Sequence, residues 1–167
     1  MFTAFLIKYA EIGVKGRNRY IFEDALVKQI EFALSKIEGE FKVRRTQGRI
    51  YVDAVSDFDF DEAVGALGKV FGVSGICPVV YVEDEGFEKL SEDVVKFIDN
   101  VYPDKNKTFK VCARRARKNY PKDSMEINAD LGGVILEAFP EMKVDVHNPD
   151  IELTVEIREK IYIYSEV

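Results

Sequence analysis

The chain has 167 residues, an apolar content of 47% and a formal net charge of −6 at pH 7. This size suits one large domain or two small ones, and the apolar content is sufficient for ordinary hydrophobic cores. No apolar run approaches the roughly 20 residues that a membrane helix requires, and the N-terminus lacks a signal-peptide pattern, so we expect a cytoplasmic protein with no membrane partner. Two cysteines without a CxxC spacing and a single histidine, His147, argue against a disulfide framework and against a metal site.

The first half of the chain predicts the order strand, helix, strand, strand, helix, strand, because apolar residues alternate in its strands and recur at helical spacing in its helices. The predicted ranges are 2–9, 18–37, 40–45, 49–54, 59–71 and 76–82. Asn18 is the expected N-cap of the first helix, the second helix is expected to start at Asp59 or its neighbours, and Gly72 and Gly75 are expected to stop it. This is the ferredoxin-like order, with two helices on one face of a four-stranded antiparallel sheet, and we expect the domain to cover residues 1–84.

The second half predicts a further unit over residues 85–167, which makes the whole chain α+β. Its predicted ranges are helix 87–101, strand 108–113, helix 124–139, short strand 143–146 and hairpin strands 151–157 and 161–164. Asp123 or Ser124 is the expected N-cap of the second helix. The pair Gly132-Gly133 within that helix predicts a close approach to the backbone, either by a packed strand, the commoner use of glycine, or by a ligand.

The most informative stretch is Lys105–Lys122, the basic segment, which holds eight Lys or Arg and no Asp or Glu. The other 149 residues carry a formal charge of −14, so solubility does not explain this clustering. A concentrated positive field is typical of proteins that bind phosphate-rich polymers, and a solvated charge run is the alternative. Within the segment, Tyr120 could stack on a base or pack the loop. Asp123 and Glu126 follow and would oppose a phosphate at the helix N-terminus.

Two smaller basic groups occur in the first half of the chain. Lys15, Arg17 and Arg19 follow the first strand, and Arg45 and Arg49 flank the hairpin turn. The sequence leaves open whether these two groups approach one another or lie at opposite ends of the sheet.

Recognisable catalytic patterns are missing from the sequence. It contains no Walker A sequence, no GxGxxG and no nucleophile elbow, and its carboxylates fall on helix faces and in linkers, so no residue is assigned a catalytic role. Cys77 is expected in the core. Cys112 alternates with Lys110 and Arg114 and is expected on the basic face, where a reactive thiol is the less favoured interpretation.

The opening LIKYAEIGVKGRNR resembles the start of the tRNA 4-thiouridine synthetases, the tRNA sulfurtransferases that are also tied to thiamine thiazole biosynthesis. From about Glu85 the chain resembles a THUMP domain, an α/β RNA-binding module. The matching pieces are FKVCARRARKNYPKDSMEIN, the glycine pair and VDVHNPDIELTVEIREKIYIY. The resemblance covers essentially the whole chain, and its opening motif is the more specific part.

This resemblance implies a platform that binds the acceptor stem and 3′ end of tRNA. The residues that take this role are Lys110, Arg114, Arg115, Arg117 and Lys118, helped by the basic groups of the first domain. The family's catalytic domain carries a Ser-Gly-Gly-x-Asp-Ser loop, uses ATP and Mg²⁺, and receives sulfur from a persulfide carrier such as a cysteine desulfurase. That loop does not occur here, so we expect this chain to bind tRNA without a cofactor of its own and without catalysing the reaction. The oligomeric state, including a homodimer, stays open.

Two other functions remain open. The parent could be another THUMP-containing tRNA-modifying enzyme such as a methyltransferase, although the opening motif argues against it. The chain could also be a protein-interaction domain, since ferredoxin-like folds serve many roles and fold alone does not name a function.

Overall fold

The structure, a computed structural model, describes residues 4–9, 17–46 and 48–167. The elements of the first half are β1 Ala4–Tyr9, α1 Arg17–Leu34, β2 Phe41–Thr46, β3 Arg49–Ala54, α2 Phe60–Gly68 and β4 Val73–Val82. Those of the second half are α3 Phe87–Val101, β5 Thr108–Arg115, α4 Ser124–Ala138, β6 Lys143–Val144, β7 Ile151–Ile157 and β8 Ile161–Tyr164.

The chain divides into two compact units, the first reaching Cys77 and the second beginning at Pro78. This division falls within β4, whose second half pairs with β8. The predicted boundary after residue 84 stays a prediction.

The first unit has the strand order β2-β3-β1-β4, which places β3 and β1 at the centre. Both β1 and β2 pair with β3 in antiparallel register, with Phe5 opposite Val52 in the first pair. Phe5 and Ile50 of the sheet are fully buried, as are Ile30 of α1 and Leu67 of α2. Together with the order of elements, this arrangement confirms the ferredoxin-like prediction.

Several predicted ends in this unit are wrong. Asn18 is not an N-cap, because α1 already includes Arg17, and α1 ends at Leu34 rather than at residue 37. Asp59 does cap α2, since its side chain accepts a hydrogen bond from the backbone N–H of Glu62. The helix then ends at Gly68, and Val70 is buried beyond it. The predicted end was too late because apolar periodicity indicates which residues are buried, and buried residues continue past the last helical hydrogen bond.

The glycines after α2 behave differently from one another. Gly72 has a φ of 96°, which only glycine adopts without strain, and it forms the turn into β4. Gly75 was expected to stop the helix but lies inside β4.

The second unit has the strand order β4-β8-β7-β5-β6. β5 lies parallel to β7 and β6, whereas β8 is antiparallel to β7 and β4. Helices α3 and α4 pack against one another, and α4 packs on β5. The buried side chains include Leu90, Val94, Ile127, Leu131 and Ile135. The predictions of α3, β7 and β8 are confirmed residue for residue.

The glycine pair of α4 lies in open space. A Cβ added at Gly132 or at Gly133 would meet no atom of the described residues within 4 Å. The expectation that packing explains the pair is therefore wrong, because α4 contacts the sheet through Ile127, Leu131 and Ile135 on another face.

We predict that a hydrogen-bonded clip at the start of β5 stabilises the fold above acidic pH. The Asp150 carboxylate accepts the Thr108 backbone N–H at 2.9 Å, and the Asp150 N–H donates to the Thr108 hydroxyl at 2.9 Å. The Thr108 hydrogen bonds hold the pKa of Asp150 below its usual value of 3.8. This stabilisation is therefore present above pH 3.8 and disappears as the pH falls through the lowered pKa.

Asp150→Asn should lower the free energy of unfolding at pH 7, and its difference from wild type should shrink in strong acid. Urea unfolding followed by circular dichroism measures both values, with the exposed Glu152→Gln as a matched control. A difference that stays constant across this pH range would contradict the clip.

Candidate nucleic-acid interface

Side chains alternate along β5 between the core and the opposite face, and its cations lie on the opposite face. Phe109, Val111 and Ala113 are buried, so the side chains of Lys110 and Arg114 point to the opposite face. On that face the neighbouring strand β7 places Glu152 beside Lys110 and Glu156 beside Arg114.

Glu156 is 3% exposed, and its carboxylate is held by other residues of this face. It pairs with Arg158 at 2.9 Å and accepts a hydrogen bond from the Tyr164 hydroxyl. Arg114 itself is exposed at the end of β5. The sheet therefore presents this cation to solvent next to a carboxylate that already has partners.

Two arginines of the basic segment hold the loop that follows β5. Arg115 donates from Nη1 to the carbonyls of Lys118 and Tyr120, each at 3.3 Å. Arg117 pairs through Nη2 with Asp84 at 2.6 Å. These are internal bonds of the second unit, so both guanidinium groups help to shape the loop.

The loop backbone is also fixed to the sheet. The N–H groups of Ala116 and Arg117 both donate to the carbonyl of Ile157, at 2.9 and 3.1 Å. The loop therefore begins from a defined point at the end of β7.

Tyr120 is 6% exposed and lies beneath Arg117, whose guanidinium carbon is 5.9 Å from the ring centroid. Burial, and then the charge of Asp84, raises the pKa of the Tyr120 hydroxyl. This position favours the interpretation that Tyr120 packs the loop, since a base cannot reach a buried ring face.

The N-terminus of α4 is occupied by a capping box. The Asp123 side chain accepts the Glu126 N–H, and the Glu126 side chain accepts the Asp123 N–H. These carboxylates satisfy the N–H groups of the helix end internally. Beyond β5, the exposed cation of the basic segment is Lys118 on the loop.

In the first unit Arg19 lies at the hairpin turn that Arg45 and Arg49 flank. A Cβ added at Gly48 would lie 3.3 Å from Arg19 Nη2, so the start of α1 meets the turn between β2 and β3. Arg45 reaches back to α1, where it bonds the Tyr20 carbonyl at 3.3 Å. Arg49 donates to the Tyr51 hydroxyl at 3.1 Å. Lys15 and the side chain of Arg17 lie outside the described residues.

Acidic partners of these arginines were not foreseen from the sequence. Asp24 pairs with Arg45 at 2.8 Å, and Glu23, which is 7% exposed, lies 3.7 Å from Arg19. Burial and the hydrogen bond to Glu23 raise the pKa of the Tyr9 hydroxyl. The partner of Arg117, Asp84 of the second unit, was likewise not foreseen. Helical spacing gives a signal for the Arg19–Glu23 pair alone.

The two cysteines and the histidine lie in different environments. Cys77 is fully buried, which confirms its place in the core, and Cys112 is half-buried beside Lys110 and Arg114. His147 lies exposed in a turn whose backbone donates to Asp145.

The described ranges lack two other kinds of feature. Residues 4–9, 17–46 and 48–167 contain no group of three His, Cys, Asp or Glu arranged to hold a metal ion. Their helices include none with the length and apolar content to cross a membrane.

Comparisons with known proteins place both units in described domain families. A model of the ThiI ferredoxin-like domain matches residues 4–77, and a model of the THUMP domain matches residues 85–166. The chain thus joins a ThiI-type ferredoxin-like domain to a THUMP domain.

Individual proteins that match the chain are more specific than the two domain families. A probable tRNA sulfurtransferase of Lachnospira eligens is 63% identical over 99% of this chain and 42% of its own length. The crystal structure of a 4-thiouridine synthetase–RNA complex with bound ATP matches with a TM-score of 0.77 and 34% identity, over 99% of this chain and 41% of that one. The chain is similar to these tRNA sulfurtransferases over nearly its whole length, and it spans less than half the length of each of them.

A methyltransferase relative agrees in fold only. A putative methyltransferase complexed with SAH covers 99% of this chain and 41% of its own with a TM-score of 0.62, but only 13% of the residues are identical. This likeness shows a shared fold and does not favour the methyltransferase alternative.

We predict that the Arg117–Asp84 pair keeps the loop after β5 ordered. Asp84→Asn should weaken the pair and speed hydrogen exchange at the amides of Ala116 and Arg117 severalfold. These amides are protected only while the loop keeps their hydrogen bonds to the Ile157 carbonyl. Exchange measured by NMR or mass spectrometry tests this, with the exposed Glu83→Gln as control. Equal protection in both variants would show that the two Ile157 carbonyl bonds hold the loop without the ion pair.

Proposed function

We propose that this chain is the tRNA-binding region of a cytoplasmic, ATP-dependent tRNA uracil 4-sulfurtransferase, an enzyme that makes 4-thiouridine. The observation that carries the proposal is the match of 99% of this chain, at 63% identity, to a probable tRNA sulfurtransferase. The RNA complex of the structurally similar 4-thiouridine synthetase supports the same assignment.

The geometry of the second unit supports a role in binding the acceptor stem and 3′ end of tRNA. Arg114 and Lys118 are exposed, and Lys110 is half-exposed on the same face of β5 as Arg114. These three cations are assigned as the phosphate contacts. Arg115, Arg117 and Tyr120 support them by shaping the loop.

The first unit contributes a second set of cations at its hairpin turn, which includes Arg19, Arg45 and Arg49. Their carboxylate and carbonyl partners fix their directions, which lowers the entropy lost when a phosphate is bound. We assign this cluster a secondary role in positioning tRNA, together with Lys15 and Arg17 of the preceding segment.

The chemistry of sulfur transfer is assigned to the part of the parent enzyme that lies outside this chain. ATP and Mg²⁺ would bind there, and a persulfide carrier such as a cysteine desulfurase would deliver sulfur there. Sulfur transfer for thiamine thiazole synthesis and a homodimeric assembly belong to the same proposal about the whole enzyme.

The first test is a titration of the chain with labelled tRNA over a series of salt concentrations. Replacing Lys110, Arg114 and Lys118 together by alanine should weaken binding strongly and lower the slope of log affinity against log salt by roughly 2 to 3, since each phosphate contact contributes about 0.7–0.9. Circular dichroism should show an unchanged fold, because these side chains lie outside the core.

The matched control is a triple alanine variant of three exposed lysines elsewhere, Lys42, Lys96 and Lys160, which removes the same charge. It should retain most of the affinity and slope. Equal losses in the two variants would mean that tRNA senses overall charge, and the assigned contacts would then be wrong.

The second test concerns the RNA end. The loop presents cations on a rigid turn, and no helix of the basic segment is placed to read a groove, so we expect recognition of a single-stranded end. A tRNA without its 3′ single-stranded nucleotides should bind several times more weakly than the intact molecule in a filter or polarisation assay. If both bind equally well, the stem alone is recognised.

A further inference from the structure

A groove with a volume of about 820 Å³ lies between α1 and α2 of the first unit. Its lining includes the aliphatic side chains of Ala33, Ile37, Ala66 and Val70. Apolar concave sites of roughly 300–1,000 Å³ are typical binding pockets. None of the cations assigned to tRNA lines this groove.

Two aromatic rings at the groove are unusually exposed. Phe71 is 81% exposed just after the end of α2, and Phe32 is 64% exposed near the end of α1. The ammonium group of Lys36 lies 4.3 Å from the centroid of the Phe32 ring. Large exposed apolar groups around a concave apolar surface mark an interaction site.

The groove is positively charged within an acidic chain. Lys28, Lys36 and Lys69 line it, and among the described lining residues the one carboxylate is that of Glu62. That carboxylate accepts a hydrogen bond from the backbone N–H of Glu38 at 3.4 Å. The chain as a whole has a net charge of −6, so this local excess of cations complements an acidic partner.

Gly65 opens the groove for close approach. It lies inside α2, where glycine costs about 1 kcal/mol relative to alanine, and a Cβ added there would meet no described atom within 4 Å. The fold itself therefore does not require a glycine at this position.

We infer that this groove binds an amphipathic helix of a partner protein, with apolar side chains against the aliphatic lining and Asp or Glu residues beside the three lysines. An amphipathic helix that lays its apolar face into a hydrophobic groove is a recurrent mode of peptide recognition. The lysines supply specificity for the acidic flanks of that helix.

Two other occupants fit less well. A symmetric pair of copies would place the same lysines against one another, which is unfavourable. Single-stranded RNA prefers a groove of cations with open aromatic faces, whereas here the cations surround an aliphatic lining and Lys36 covers Phe32.

The groove is well separated from the hairpin cations of the same unit. Arg19 and Phe32 lie on one continuous helix, α1, and a rise of 1.5 Å per residue separates them by about 20 Å. A partner helix in the groove would thus leave the cations at the start of α1 accessible.

The test uses a fluorescein-labelled helical peptide of about 16 residues, with Leu along one face and Glu on its flanks, and a second peptide in which every Glu is Lys. Fluorescence polarisation should show saturable binding of the acidic peptide and at least tenfold weaker binding of the basic one. The double variant Lys28→Glu/Lys69→Glu should reverse this preference.

Gly65→Phe should abolish binding, because the ring would occupy the groove without touching the core, and Gly65→Ala should retain it as the matched control. Thermal unfolding confirms that both variants fold. Equal binding of the two peptides, or unchanged binding by Gly65→Phe, would overturn the inference. So would a concentration-dependent dimer or a tRNA affinity that Gly65→Phe removes, since these assign the groove to a second copy or to RNA.

Discussion

The second unit depends on how β5 satisfies its backbone beyond the short strand β6. β6 pairs with β5 only at Thr108 and Phe109, so among the described strands none pairs with the later N–H groups on that edge of β5. The side chain of Asn128 in α4 accepts the N–H of Ala113 at 2.7 Å. An unpaired N–H at a buried position is costly, and this bond satisfies it while fixing α4 to the strand. It allows β5 to continue to Arg115, one residue beyond the exposed Arg114.

Some cations of the basic segment face solvent and others hold the loop, because the strand and the loop impose different geometries. Alternation along β5 directs Lys110 and Arg114 away from the core, whereas the loop curls back and turns Arg115 and Arg117 onto its own carbonyls and Asp84. A guanidinium group suits this inward role, since it offers several donors in a fixed plane. Charge density alone therefore overstates the number of cations that face solvent.

The sequence predicted the order of elements well, because strands such as β7 and helices such as α3 have clear apolar periodicities. The predicted helix ends were wrong in two situations. After Gly68 the buried apolar residues continue although the helical hydrogen bonds have ended, and Asn18 lies inside α1 and not at its N-cap. The cations were visible as charges, but their partners were not. Asp84 and Arg117 are 33 residues apart, and no local sequence pattern predicts a contact at that separation. The groove between α1 and α2 depends likewise on how two helices pack.

The internal bonds that hold the loop after β5 have a consequence for the rate of binding. Its backbone is held by Ile157 and its arginines are already bonded internally, so the conformational entropy of this segment is lost during folding. Under the proposed function, an RNA encounters a surface formed in advance, and association need not wait for the loop to order. Binding rates should then follow long-range electrostatic attraction, while differences between RNA molecules should arise in how long each complex persists. A short residence time on the wrong RNA would let the protein survey many molecules quickly.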